Sequence, residues 1–280
     1  MAKNFINIFD FYQARNFILE NVSNINVDLG DMLIYKDNEG KEEFSIVKNL
    51  TDTVEDEDSF SKESKILRPA TLNDSQKFEN LLEKGQESLL KCKQLIYTHK
   101  LDMQVFQSNY SFDGSRLLFL FTADERIDFR ELVKDLAKTF QRQIYLRQIG
   151  PRDKAKLIGG YGKCGRTLCC NTFLSKLESI SMEMVRIQSL ESKGSSKLSG
   201  VCGKLLCCLK YEVDAYKDLK KGMPETYDII SLKKDVVAPA LEAKVVALDI
   251  LNSKVKLYFS ETEEYLVYNA KDIDKVVRKS

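Results

Sequence analysis

The chain has 280 residues, 43% hydrophobic and 30% charged, with a formal net charge of +1. This length allows two compact modules but not a large multidomain enzyme, and the composition excludes a disordered chain. No apolar run approaches the ~20 residues needed to cross a bilayer.

The chain opens Met1-Ala2-Lys3-Asn4-Phe5-Ile6-Asn7, without the charged-then-apolar layout of a signal peptide. A cytoplasmic location, with no membrane span and few disulfides, is therefore expected. Over the first seventy residues, Met32-Leu33-Ile34-Tyr35 and Glu43-Phe44-Ser45-Ile46-Val47 read as strands around the turn Asp37-Asn38-Glu39-Gly40. The stretch from Thr51 to Ser64, which contains Glu55-Asp56-Glu57-Asp58, reads as an exposed loop.

A helix capped by Asn73 or Asp74 follows, with Phe78, Leu81, Leu82, Leu89, Cys92 and Ile96 on its apolar stripe. Cys92 on that stripe reads as a small core residue. His99, the single histidine, lies just beyond the helix, and one histidine assembles no catalytic triad. Asp102 to Tyr110 and Arg116 to Phe121 then predict a hairpin around Ser111-Phe112-Asp113-Gly114. Asp128 is positioned to cap a second helix whose stripe is Phe129, Leu132, Val133, Leu136 and Phe140, and Gln143 to Leu146 reads as a strand.

From Ile149 to Leu209 the chain is rich in Gly and Lys and shows little periodicity before Cys164, so its order is expected to come from something it binds. Residues 141–210 hold thirteen Lys or Arg against four Asp or Glu, a balance that suits phosphates, acidic surfaces or an anionic cluster, and equally a solvated face. A helix through Tyr211, Ala215, Tyr216 and Leu219 is expected to end at Gly222. Strands over 244–248, 254–259 and 265–268 complete the chain, as in a small barrel. The fold class is thus α+β. A small β-rich part covers 1–66, a helix/strand/strand/helix/strand core with a cysteine-rich segment 67–221, and a β-barrel-like part 222–280.

One pattern stands out. Cys164-Gly165-Arg166-Thr167-Leu168-Cys169-Cys170 and Cys202-Gly203-Lys204-Leu205-Leu206-Cys207-Cys208 share the form Cys-Gly-basic-x-Leu-Cys-Cys, so that Cys164 answers to Cys202, Cys169 to Cys207 and Cys170 to Cys208. Thiolates bind metals, and a neighbouring cation or backbone N–H favours the thiolate. Arg166 and Lys204 are placed to offset negative charge, while Gly165 and Gly203 permit a tight turn that aims backbone amides at the sulfurs. Leu168 and Leu206 are expected to pack beneath the site. Iron–sulfur and zinc both remain open, because soft thiolates suit either. Six thiolates exceed one four-ligand site by two and fall two short of a pair of all-cysteine clusters, which points to ligands from a partner or to two structural cysteines. Gly159-Gly160-Tyr161-Gly162 lacks the Gly-Lys-Ser/Thr ending of a phosphate-binding loop.

These motifs, with Phe112-Asp113-Gly114, Phe121-Thr122-Ala123-Asp124, Asp128-Phe129-Arg130-Glu131-Leu132-Val133, Leu146-Arg147-Gln148-Ile149-Gly150 and Leu209-Lys210-Tyr211-Glu212, resemble the bacterial YaaT (RicT) family. Its shared domain was first named from a yeast polymerase-suppressor protein. The strong resemblance runs from about Leu67 to about Lys221.

The resemblance implies a regulatory adaptor, not an enzyme. It implies a complex with two small helical partners carrying 4Fe–4S clusters, acting with the membrane-bound endoribonuclease Y in messenger-RNA maturation and affecting sporulation, competence and biofilm programmes. It also places cluster ligation on Cys164, Cys169, Cys170, Cys202, Cys207 and Cys208. The alternative is a zinc-containing nucleic-acid-binding protein that contacts RNA through residues 141–210.

Overall fold

The computed structural model describes residues 4–22, 24–54, 59–174, 179–191 and 193–278. The acidic run Glu55 to Asp58 lies outside the described residues. The chain divides into two compact units, Met1–Gly150 and Pro151–Ser280.

Unit one begins with an antiparallel sheet of β1 (Phe5–Asp10), β2 (Arg15–Glu20), β3 (Met32–Lys36), β4 (Glu42–Thr51) and β5 (Lys65–Pro69), in the order β2-β1-β4-β3-β5. Strict alternation in β1 buries Ile6, Ile8 and Asp10, which marks a half-covered strand. Sequence reasoning missed β1 and β2, where polar and charged residues dilute the apolar pattern.

The central core consists of α1 (Leu72–Thr98), β6 (Gln104–Tyr110), β7 (Arg116–Thr122), α2 (Arg130–Phe140) and β8 (Gln143–Gln148). Strand β7 lies between its antiparallel hairpin partner β6 and the parallel β8, with α2 as the crossover. Helices α1 and α2 cover one face of this sheet through Cys92, Ile96, Leu132 and Leu136, packed on Leu117, Phe119 and Phe121. The order and the one-sided helical layer match the α+β expectation.

Local details differ. Thr71, not Asn73 or Asp74, caps α1, and Asp74 closes a capping box with it. Phe129 occupies the N-cap of α2, while Asp128 pairs with Arg130. Leu82 is 46% exposed, because the buried edge of α1 instead runs through Gly85, Ser88, Cys92 and Ile96. Ser108 Oγ donates to the Gly85 carbonyl at 2.6 Å, and a Cβ at Gly85 would stand 2.7 Å from the Ser108 carbonyl oxygen. His99 caps the C-terminus of α1, with Nε2 2.9 Å from Asp135 of α2.

The opposite side of β7 carries a buried ionic cluster. Arg116, 3% exposed, meets Asp37 at 2.7 Å, Glu43 at 2.6 Å and Glu39 at 2.8 Å. Asp10 is fully buried nearby in the N-terminal sheet, where it accepts the Tyr12 N–H. Burial pushes Asp10 up to about 6 and Glu43 up to about 8, and for Glu43 the nearby Asp10 carboxylate adds to the rise.

Unit two contains α3 (Pro151–Ile158), α4 (Met182–Ile187), α5 (Ser195–Leu198) and α6 (Cys207–Lys220). They are followed by β9 (Ile229–Leu232), β10 (Glu242–Asp249), β11 (Lys254–Phe259), β12 (Glu264–Asn269) and β13 (Ile273–Arg278). The sheet runs β12-β11-β10-β9-β13 around Ile230, Val245, Val255, Leu257 and Phe259. It ends in two edges and forms no closed barrel, which corrects the barrel-like expectation: β12 and β13 are joined only by a short 3-10 turn, Ala270–Asp272, and pair with different neighbours.

The cysteine-rich segment also has order of its own. Val185, Leu198 and Leu209 form a small apolar cluster, with Leu205 and Leu206 against it. Among the described residues, no helix is long and apolar enough to cross a membrane.

Candidate metal centre

The two cysteine motifs fold into the same hairpin. In the first, the Gly162 N–H donates to the Arg166 carbonyl (2.8 Å), Gly165 N–H to the Gly162 carbonyl (3.0 Å), and Leu168 N–H to the Gly160 carbonyl (3.1 Å). In the second, Gly200 N–H donates to the Lys204 carbonyl (2.9 Å), Gly203 N–H to the Gly200 carbonyl (3.0 Å), and Leu206 N–H to the Leu198 carbonyl (3.0 Å). Bridges Tyr161↔Thr167 and Ser199↔Leu205 complete the match. Each of these contacts in one hairpin recurs at the equivalent position of the other.

Gly165 and Gly203 sit at φ +78° and +74°, in the left-handed region that side chains resist. This agrees with the tight turn expected of them. Their own amides bond to the Gly162 and Gly200 carbonyl oxygens.

A feature the sequence reading missed lies two positions before the first cysteine of each motif. Gly162 and Gly200 each supply both a donor and an acceptor to the hairpin, and a Cβ at Gly162 would stand 3.4 Å from Cys164 Sγ. The repeat is therefore Gly-x-Cys-Gly-basic-x-Leu-Cys-Cys, which was legible as Gly162-Lys163-Cys164-Gly165 beside Gly200-Val201-Cys202-Gly203.

Beyond the hairpins the halves diverge. Cys207 and Cys208 open α6, whereas Cys169 and Cys170 enter a run of turns in which Leu174 N–H reaches the Cys169 carbonyl (2.9 Å). The halves nevertheless touch at equivalent positions. Phe173 and Tyr211, each three places after the last cysteine of its motif, meet edge-to-face at 5.1 Å between centroids. Lys163 Nζ donates to the Ser196 carbonyl at 2.5 Å, and Gln188 Nε2 to the Leu209 carbonyl at 2.7 Å.

This arrangement gathers all six motif cysteines into one electrostatic neighbourhood. Burial raises the Cys170 thiol, with Cys202 adding to the rise while Arg152 and Lys156 oppose it. Burial likewise raises Cys207, helped by Cys170, Cys202 and Cys169 and opposed by Arg152. Cys208 is raised by burial, then by Glu212, Cys169 and Cys164. Leu168 is buried, and Leu206 leans on the apolar cluster beneath, as expected of a dry floor. The Arg166 and Lys204 side chains are exposed, and their carbonyls close the hairpins. Cys92 lies apart in the core of unit one, fully buried, where desolvation pushes its thiol up to about 12.

In donor chemistry thiols suit a soft metal ion, which binds them as thiolates. Among the described residues, no three His, Cys, Asp or Glu side chains converge on one point to hold a metal ion.

Residues 64–149 match the PSP1 C-terminal conserved region, and residues 179–223 match the third domain of PSP1-like proteins. The first match spans the last strand of the N-terminal sheet and the whole central core; the second takes in the second cysteine motif. The chain is 40% identical over 182 residues to the stage 0 sporulation protein YaaT of Bacillus subtilis, a match covering 65% of this chain and 64% of that protein. It is 38% identical over 71 residues to the uncharacterized protein PB7E8.02 of Schizosaccharomyces pombe, covering 24% of this chain and 10% of that protein. It is also 30% identical over 76 residues to protein PSP1 of Saccharomyces cerevisiae, covering 27% and 9%. No solved structure matches the chain. Its central core and its second cysteine hairpin thus both match PSP1-type domains, and its likeness to YaaT spans a little under two thirds of that protein's length.

Proposed function

We propose that this chain is a non-catalytic regulatory adaptor that holds an iron–sulfur centre through Cys164, Cys169, Cys170, Cys202, Cys207 and Cys208. It acts with small helical partners on endoribonuclease Y-dependent messenger-RNA maturation. The observation that carries the reading is the duplicated glycine hairpin, which gives both cysteine motifs the same local backbone geometry. The relative YaaT is named as a sporulation protein, which supports a regulatory role. The chain's resemblance to the adaptor family supports the cluster and the partners.

The centre supplies a thiolate-held metal–sulfide core of 4Fe–4S type when bound. The chain's own residues supply the rest. The glycine turns fix Cys164 and Cys202 at hairpin tips, α6 presents Cys207 and Cys208 from its first turn, and Leu168 and Leu206 keep water from one side. The single histidine is engaged with Asp135 in unit one, which suits a structural role.

The test is anaerobic purification followed by iron, sulfide and zinc analysis with a visible spectrum. Near-equal iron and sulfide, with a band that air bleaches, is the expected result. Cys164→Ser and Cys202→Ser should each reduce iron content and partner binding. A colourless protein with stoichiometric zinc overturns the iron–sulfur reading. It favours instead a zinc-containing nucleic-acid binder, a reading supported by the basic excess over residues 141–210.

A further inference from the structure

The C-terminal sheet has two unlike faces. Alternation along β11 turns Val255, Leu257 and Phe259 into the core and leaves Lys254, Lys256 and Tyr258 on the other side. The strand register carries that second face across the neighbouring strands. Lys244 and Asp249 of β10 stand opposite Tyr258 and Lys254, while Tyr265 and Val267 of β12 stand opposite Tyr258 and Lys256. Through β9 the face continues to the other edge: Ile229 and Ser231 pair with Lys244 and Glu242 on one side, and with Arg278 and Lys275 of β13 on the other.

Two observations give this face its chemical character. It is cationic: Lys244, Lys254, Lys256, Lys275 and Arg278 are all exposed on it, against the carboxylates of Glu242 and Asp249. It is also aromatic. Tyr258 and Tyr265 meet across β11 and β12 with ring centroids 4.9 Å apart, and Tyr265 is 57% exposed. Lys256 Nζ lies 5.2 Å from the centre of the Tyr265 ring, and Lys244 Nζ lies 5.2 Å from that of the exposed Tyr227. Phosphates call for cations and unpaired bases for flat rings, and a nucleic-acid single strand presents both together. An acidic protein surface or a duplex offers the charge without open bases.

We infer that this face of the C-terminal sheet binds single-stranded nucleic acid, with bases stacking on Tyr265 and Tyr258 and phosphates held by the lysines around them. A cation beside a ring matches the phosphate and base of one nucleotide. The surface lies outside the basic stretch 141–210 and requires no metal, so it goes beyond the reading of the cysteine centre and does not rest on it.

The test titrates the full chain into fluorescein-labelled oligo(U) and oligo(dT) of about 12 nucleotides, and into a duplex of the same length, by fluorescence anisotropy. Five phosphate contacts predict that affinity for the single strands falls about 100-fold between about 50 and 200 mM salt. Lys244→Gln with Lys256→Gln should reduce that fall to about 20-fold. Tyr265→Leu should weaken binding about 5- to 100-fold at either salt, and Tyr265→Phe less than about 2-fold, because the ring is kept. All three side chains are exposed, so the fold is kept. Lys217→Gln with Lys221→Gln, which removes two exposed cations at the end of α6, should change little. Tighter binding of oligo(U) or of oligo(dT) supports the inference and shows that the sugar is read; equal binding supports it without sugar recognition. Failure of both single strands to bind at about 50 mM salt overturns it. So does a loss on removing the α6 cations as large as on removing Lys244 and Lys256, which reduces the effect to net charge. A duplex bound as tightly as the single strands, or Tyr265→Leu at wild-type affinity, overturns it in favour of an ionic surface fit for an acidic protein. No metal enters the measurement, so its failure leaves the reading of the cysteine centre standing.

Discussion

Alanine substitutions at Gly200 and Gly203, within the same second hairpin, should differ sharply in severity. At Gly203 the backbone sits at φ +74°, and no atom lies within 4 Å of where a Cβ would stand. The cost of Gly203→Ala is therefore conformational, about 1–2 kcal/mol for forcing an L-residue into the left-handed region. Gly200 is not among the positive-φ glycines, and its Cβ would meet Cys202 Sγ at 3.7 Å and the Lys204 carbonyl at 3.8 Å, ordinary contact distances. Its N–H bond to Lys204 survives in alanine. If the hairpin is the unit that opens, Gly203→Ala should raise the exchange rate of the Gly200, Gly203 and Leu206 amides about 5- to 30-fold, and Gly200→Ala less than about 2-fold. Native-state hydrogen exchange on the reduced, metal-free chain reads both. Wild-type rates in Gly203→Ala, or greater damage from Gly200→Ala, would refute the claim that backbone strain at one glycine sets the hairpin.

Gly85→Ala should destabilise the chain by roughly 1–3 kcal/mol in urea unfolding, although alanine ordinarily favours a helix interior, because the added Cβ would stand 2.7 Å from a backbone oxygen of β6. Iodoacetamide should label the exposed Cys164 of the reduced, metal-free chain while leaving Cys92 untouched until unfolding, since burial pushes Cys92 up to about 12; comparable labelling rates by mass spectrometry would contradict this. Stability should fall as pH rises from about 4. The folded chain holds a proton on Asp10 up to about 6, whereas the unfolded chain releases it near the ordinary value of 3.8. That difference corresponds to about 3 kcal/mol, fully present below the unfolded pKa and lost once pH passes the folded one. Glu43 extends the decline towards about pH 8. Asp10→Asn should flatten the curve of urea midpoint against pH between about 4 and 6, and an unchanged slope would count against the assignment.

Where period and punctuation agreed, the sequence was a sound guide. The stripe over Leu132 and Leu136, the hairpin at Gly114 and the strands at 254–259 and 265–268 all correspond to observed elements. It failed at β1, β2, β9 and β13, short strands whose apolar patterns are weak, and at Leu82, which α1 turns outward because Gly85 is the point of closest approach to β6. The Arg116 cluster was equally hidden, since Asp37, Glu39 and Glu43 read separately as turn and strand residues.

For the candidate site, the repeat alone determined which cysteines belong together, because local backbone chemistry is written in local spacing: a glycine that must take positive φ sits beside the cysteine it positions. Tertiary structure decided which other groups pack beside the hairpins. Arg152 lies well before Cys164 and has no repeat partner, so its tie to Leu205 exists only once α3 and the second hairpin have packed. Charge acts through space, and no spacing rule along the chain encodes a field that reaches across it.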